Sequence, residues 1–225
     1  TQWRFDNYTT ILEKANIARW FTNSVVVSFS STVGILIVSI LAGYVLGRMK
    51  FPGKKVLFSM TLSGFMIPLQ AIMIPLFLNL SRLGMVNSYA GLILPALASP
   101  VSVFILTQYF KGIENEFEEA ARLDGAGELT IIFRIMIPMA IPAVATVALF
   151  NFSWSWNDFV WPLIIAQSED FYTLPIGLTT LANSNTNIRF GPIMAANVIA
   201  TVPVMIMYFL FQKSFVRGVA MGELK

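Results

Sequence analysis

The chain has no cysteine and no histidine, and only 12% of its 225 residues are charged. Without Cys there is no disulfide frame, no thiolate metal site and no Cys nucleophile. Its absence says little about redox compartment. Without His the commonest general base and metal ligand is gone. No nucleophile–base set takes their place, so the residues argue against a membrane enzyme and no metal site is expected. A soluble domain carries about 25% charged residues, about twice what is found here. Apolar residues fill the gap, at 56% of the chain with a mean hydropathy of +0.70. This composition predicts an all-α, polytopic integral membrane helical bundle. The net charge is +3. The positions of Lys and Arg explain that excess better than nucleic acid does.

Five segments are apolar for long enough to cross about 30 Å of hydrocarbon, which takes roughly 20 helical residues. They run approximately 22–46, 56–80, 88–110, 131–152 and 191–212. Gly34, Gly43, Pro68, Pro75, Pro95, Pro142 and Pro203 lie inside them. Membrane helices tolerate such residues when neighbouring helices cover the freed backbone groups. Ten of the fifteen basic residues fall in three regions: Arg48 to Lys55, the stretch holding Lys111, Arg122 and Arg134, and the tail with Lys213, Arg217 and Lys225. Those regions share one side, which the positive-inside rule makes cytoplasmic. The C-terminus is then cytoplasmic as well. An odd span count places the N-terminus outside, and the chain begins with Thr1 and no signal peptide. A first span that starts in the cytoplasm is therefore expected to precede residue 1. Residues 1–21 then form an outer segment. Ile11, Leu12, Ile17, Trp20 and Phe21 suit a short interfacial helix, or the segment is a solvated loop.

The charged exception is the loop 111–130. From Ile113 to Glu128 it carries six acidic residues. Ile113, Phe117, Ala120 and Ala121 recur at helical spacing. Gly125 and Gly127 allow a sharp bend. A solvated helix satisfies these facts, and so does a helix that docks on a partner through its small Ala residues. The stretch Gly47 to Lys55 is no phosphate-binding loop. Five residues separate its glycines where four are needed, Lys55 stands where Ser or Thr would hold magnesium, and no strand precedes it.

The spacing Glu119-Ala120-Ala121, then Gly125, then Ile135, then Ile137-Pro138 resembles the EAA loop of ABC importer permeases. Ile137 departs mildly from that pattern, which usually has Leu before the Pro. Phe51-Pro52-Gly53-Lys54, Ile67-Pro68, Ile74-Pro75, Leu83-Gly84, Trp156-Asn157-Asp158-Phe159, Trp161-Pro162-Leu163 and the tail Gln212 to Gly218 look like binding-protein-dependent carbohydrate-uptake permeases, the smaller maltose-type subunit among them. The resemblance covers nearly the whole chain. It implies a single permease domain over 1–225 with the type I ABC importer fold and six spans, the first cytoplasmic at its start. It implies that Glu119, Ala120, Ala121, Asp124 and Gly125 couple to an ATPase, Glu119 through a charge-assisted contact. It implies that the tail 213–225, with Phe215, Arg217 and Gly218, touches the ATPase pair. The implied partners are a homologous second permease subunit, two cytoplasmic ABC ATPase subunits, an extracytoplasmic solute-binding protein and membrane lipid, with no nucleic acid. ATP and magnesium belong to the ATPase subunits and no cofactor to this chain. The implied location is a bacterial or archaeal cytoplasmic membrane.

Polar groups inside spans are costly and are functional candidates by default. Gln70 lies mid-span in the second segment and Asn197 in the last. Asn151, Trp154, Trp156, Asn157 and Asp158 cluster at the outer end of the fourth. Aromatic faces with Asn, Asp and Gln suit a sugar. Equally, Trp anchors at membrane interfaces and Asn ties helices together. Ser168 to Arg189, with Asn183, Asn185 and Asn187, reads as an exposed loop that the resemblance turns toward a binding protein. A non-sugar solute remains open. An ion-coupled secondary transporter is the weaker alternative, since it needs buried ionisable residues and repeats that the spans lack.

Overall fold

The computed structural model describes residues 6–14, 16–183 and 190–222, with side chains described through residue 212. The helices are, in order, α1 (Asp6–Lys14), α2 (Ile17–Arg48), α3 (Lys54–Ser63), α4 (Leu69–Arg82), α5 (Tyr89–Ile93), α6 (Pro100–Lys111), α7 (Glu116–Leu123), α8 (Glu128–Ile131), α9 (Ile137–Met139), α10 (Ile141–Asn157), α11 (Val160–Ile165), α12 (Leu174–Asn183) and α13 (Phe190–Gly222). No strand occurs among the described residues.

The five apolar segments are all present, but only two are single helices. Ile17–Arg48 and Phe190–Gln212 are each long and apolar enough to cross a membrane. The other three are bent pairs: Lys54–Met66 with Leu69–Arg82 at 100°, Tyr89–Leu97 with Pro100–Lys111 at 42°, and Glu128–Met139 with Ile141–Asn157 at 82°. The prolines inside these segments are the reason for the bends. Ile67 is extended, at φ −93° and ψ 111°, because Pro68 disfavours helical geometry in the residue before it. Pro100 opens α6 beneath the Ser99 N-cap, whose hydroxyl accepts the Ser102 N–H; the first helical position is where Pro is best tolerated. In the third pair the chain passes through a π-helical turn, Ile132–Met136. It then breaks at Ala140 (φ −95°, ψ 10°), two residues before Pro142, which has no N–H to donate. Pro75 and Pro203, by contrast, lie within α4 and α13.

Two compact units make up the chain. One gathers residues 1–31, 72–95 and 152–209. Its core holds Ile11, Ile17, Trp20, Phe152, Trp156 and Leu174, with a second cluster around Met73, Leu92, Trp161 and Ile165. Gly177 lies against the Trp20 ring so closely that a Cβ there would come within 2.1 Å of it. Ile17 to Phe21 therefore belong to the first turns of α2, and Ile11, Ile17 and Trp20 are buried. The helix that holds the first apolar segment begins at Ile17, ahead of residue 22. The reading of 168–189 as a loop is likewise corrected: Leu174 to Asn183 form α12, and Leu174, Ile176, Leu178 and Leu181 are buried. Leu174 to Asn183 carry no charged residue.

The other unit gathers residues 32–71, 96–151 and 210–225. Its core holds Tyr44, Leu106, Phe110, Ala121, Ile131 and Met136. Tyr44 and Phe110 meet edge to face with centroids 6.2 Å apart, an arrangement that adds to the burial of both rings.

Candidate functional site

The charged loop forms α7 and α8, in the second unit. Glu116, Glu118 and Glu119 occupy the first turn of α7, where carboxylates favour the positive end of the helix dipole. The helix ends in a Schellman turn. The Ala126 N–H donates to the Ala121 carbonyl (2.9 Å) and the Gly125 N–H to that of Arg122 (3.0 Å). Gly125 closes the turn at φ +80°, a conformation that costs a residue with a Cβ and suits Gly.

The sides of α7 differ. Ala121 and Glu118 are turned inward, at 8% and 4% exposure. Glu119, Ala120, Asp124 and Gly125 are exposed, together with Phe117 and Leu123. The two Ala residues therefore do not share an outer face: Ala120 faces out and Ala121 packs in the core beside Tyr44 and Ile131.

Glu118 forms an ion pair with Arg48, the last residue of α2, at 2.8 Å from Nε to Oε1; the side chains are only 5% and 6% exposed. Arg48 also donates to the carbonyls of Ile113 (2.7 Å) and Phe110 (3.3 Å). These lie at and just past the end of α6, where carbonyls lack helical partners. A buried ion pair is tolerable only when the remaining donors and acceptors are satisfied, and these contacts satisfy them. Arg122 reaches Glu118 at 3.8 Å and Glu128 at 3.0 Å. The Tyr44 hydroxyl donates to Glu128 at 2.6 Å. Sequence reasoning counted Arg48, Glu118 and Glu128 as surface charges and passed over Tyr44. The one local signal was the i,i+4 pairing of Glu118 with Arg122.

The outer candidates divide between the units. In the second unit, Asn151 donates to Ser102 Oγ (2.9 Å) and to the Val147 carbonyl (2.7 Å). Its amide ties α10 to α6. In the first unit, Trp156 is buried and its Nε1 donates to the Ala200 carbonyl at 2.9 Å. Trp154 is 76% exposed. Asn157 is exposed and bonds back to the Ser153 carbonyl. Burial pushes the Asp158 carboxyl above the usual range, opposed by backbone N–H bonds from Trp161 and Val160. Gln70 is exposed in the first turn of α4, just after the 100° bend. Asn197 bonds back to the Ile193 carbonyl. A groove of about 510 Å³ runs between Phe159, Leu163, Ile176, Thr179, Thr180 and Asn183.

Two residues outside the sequence-based set organise this side. Asn23 is fully buried. It donates to the carbonyls of Asp170 and Tyr172 and accepts from the Tyr89 hydroxyl. Asn87, at φ 56°, accepts from the backbone of Gln167 and Ser168. The side chains of Phe215 and Arg217, the surroundings of Gly218, and the positions Asn185 and Asn187 lie outside the described residues. Among the described residues no group of three or more His, Cys, Asp or Glu could hold a metal ion.

Broken and unbroken apolar helices, with one polar helix pinned at their ends, define a multi-pass membrane protein. The chain belongs to the family of binding-protein-dependent transport system inner membrane components, whose model matches residues 39–221. It is similar to the arabinooligosaccharides transport system permease protein AraQ of Bacillus subtilis, with 39% identity over 98% of this chain and 79% of the relative. It is similar to the diacetylchitobiose uptake system permease protein NgcG of Streptomyces coelicolor, with 36% identity over 99% of this chain and 75% of the relative. Its fold matches a bacterial ABC transporter that imports the acidic polysaccharide alginate, with a TM-score of 0.86 and 26% identity over 96% of this chain and 81% of that one. The protein is thus an ABC permease subunit of the inner membrane, with the fold of that importer class.

Proposed function

We propose that this chain lines the translocation pathway of an ATP-driven importer for a sugar or oligosaccharide, and that α7 is its coupling helix. α7 then lies in the cytoplasm, as does the C-terminal tail. Two cytoplasmic ABC ATPase subunits supply hydrolysis with their own ATP and magnesium. A homologous second permease subunit completes the pathway, and an extracytoplasmic binding protein delivers the solute. The chain itself catalyses nothing.

The observation that carries this reading is the outer face of α7. Phe117 is 46% exposed and Leu123 90% exposed, on a helix otherwise rich in carboxylates. Apolar side chains rimmed by charge mark a protein-binding face. Exposed Glu119 offers a carboxylate for a basic group, and Ala120 leaves room for close approach. The sugar assignment rests on the named solutes of the relatives, which are an arabinooligosaccharide and diacetylchitobiose. Exposed Trp154 and Asn157, with partly buried Asp158, supply the aromatic and polar groups that a sugar site combines. Purification from its native membrane in mild detergent tests the reading. Two ATPase copies, a second permease and sugar-stimulated hydrolysis are expected. Recovery of this chain without any ATPase would overturn it.

A further inference from the structure

We propose that Arg48 and Glu118 are positioning residues that make α7 and the end of α2 move as one body, so that displacement of α7 reaches the membrane helices. The proposal rests on the coupling role of α7. The helix is eight residues long. Gly112 precedes it, and Gly125 and Gly127 follow. Glycine leaves those connections free to pivot, so α7 needs a lateral tie if a push on it is to travel.

The ties available are unequal. Arg122 and Glu128 are 44% and 45% exposed and only six residues apart. Exposed pairs of that kind contribute little, and this one joins α7 only to its own neighbour, α8. Arg48 to Glu118 is the buried pair, and it joins residues 70 apart in sequence. The same guanidinium holds the carbonyls of Phe110 and Ile113. One side chain therefore links three elements: the end of α2, the end of α6 and α7. Only the planar fork of Arg serves these acceptors together; Lys is a point charge with a different reach. Arg122 and Glu128 keep the group balanced in charge, and the Tyr44 hydroxyl closes it on the α2 side.

The whole transporter, reconstituted in liposomes with its binding protein, tests the clamp. Arg48→Lys and Glu118→Gln are compared with the wild type. Solute transported per ATP hydrolysed is the readout, because a merely structural defect lowers both quantities together. Both single variants are expected to retain the ATPase subunits and ATP hydrolysis while that ratio falls about tenfold, a usual size for coupling between sites. An unchanged ratio in the single variants overturns the clamp. So does release of the ATPase subunits, because the pair then only shapes the docking face. If neither single variant assembles, the pair is a folding element and the clamp also falls. The coupling role of α7 fails on a different result: Ala120→Leu, on its outer face, leaving ATPase binding and transport intact.

Discussion

Gly125 separates the turn's own needs from those of a partner. Its φ is +80°, and no heavy atom lies within 4 Å of where a Cβ would be built. Ala at this position meets no clash and bears only the left-handed backbone cost, about 1–2 kcal/mol. That shifts the closed turn against open forms by about tenfold. Asn and Asp tolerate this conformation better than other residues, and they have the same shape. They differ in charge. Within this chain, an Asp at the carboxyl end of α7 meets the negative end of the helix dipole, worth about 0.3–1 kcal/mol at an exposed site. The chain alone can therefore separate Gly125→Asp from Gly125→Asn by about fivefold at most. A larger gap needs a charge-sensitive partner against residue 125. The assay is solute uptake by the reconstituted transporter, normalised to co-purified ATPase. Gly125→Asn is expected near the wild-type rate, Gly125→Ala below it, and Gly125→Asp lower than Asn by well over fivefold. If Asn and Asp agree within that factor, no partner closes on this turn and the docking reading of Gly125 is wrong.

The two alanines of α7 give a second comparison. Ala121→Leu, in a core position at 8% exposure, overpacks its surroundings by about 1–3 kcal/mol and should lower the thermal midpoint in detergent. Ala120→Leu, on the exposed side, should change stability by less than about 0.5 kcal/mol and still weaken ATPase binding in a pull-down. The tryptophans of α10 offer another. Trp156→Ala empties a buried site and loses the bond to Ala200, so it should cost about 3–5 kcal/mol and reduce the yield of folded protein. Trp154→Ala, at a 76% exposed position, should leave the thermal midpoint unchanged and raise the KM for uptake if its ring meets sugar.

The helical bundle and its charged interruption were legible in the sequence because both are set by composition over tens of residues. So was the Gly125 turn, since a left-handed helix end favours Gly for a local reason. Prolines were less legible. Pro68 and Pro142 mark breaks, whereas Pro75 and Pro203 ride within helices. All four lack the same N–H, and what differs is whether the surroundings make bending the cheaper relief. The Trp pair was half legible. Residues two apart on a helix point about 200° apart, so Trp154 and Trp156 had to differ in burial, but only tertiary packing decides which turns inward. Least legible was Arg48 with Glu118. A charge beside a membrane span reads as solvated by default, and a partner 70 residues away leaves no local pattern. Four of the six acids from Ile113 to Glu128 accordingly do two jobs. Glu118 and Glu128 bond to Arg48, Arg122 and Tyr44 and hold the helix down. Glu119 and Asp124 stay at the surface. A helix that transmits force needs both, because an outer face without an inner anchor would pivot on its glycines, and an anchored helix without an outer face would have nothing to grip.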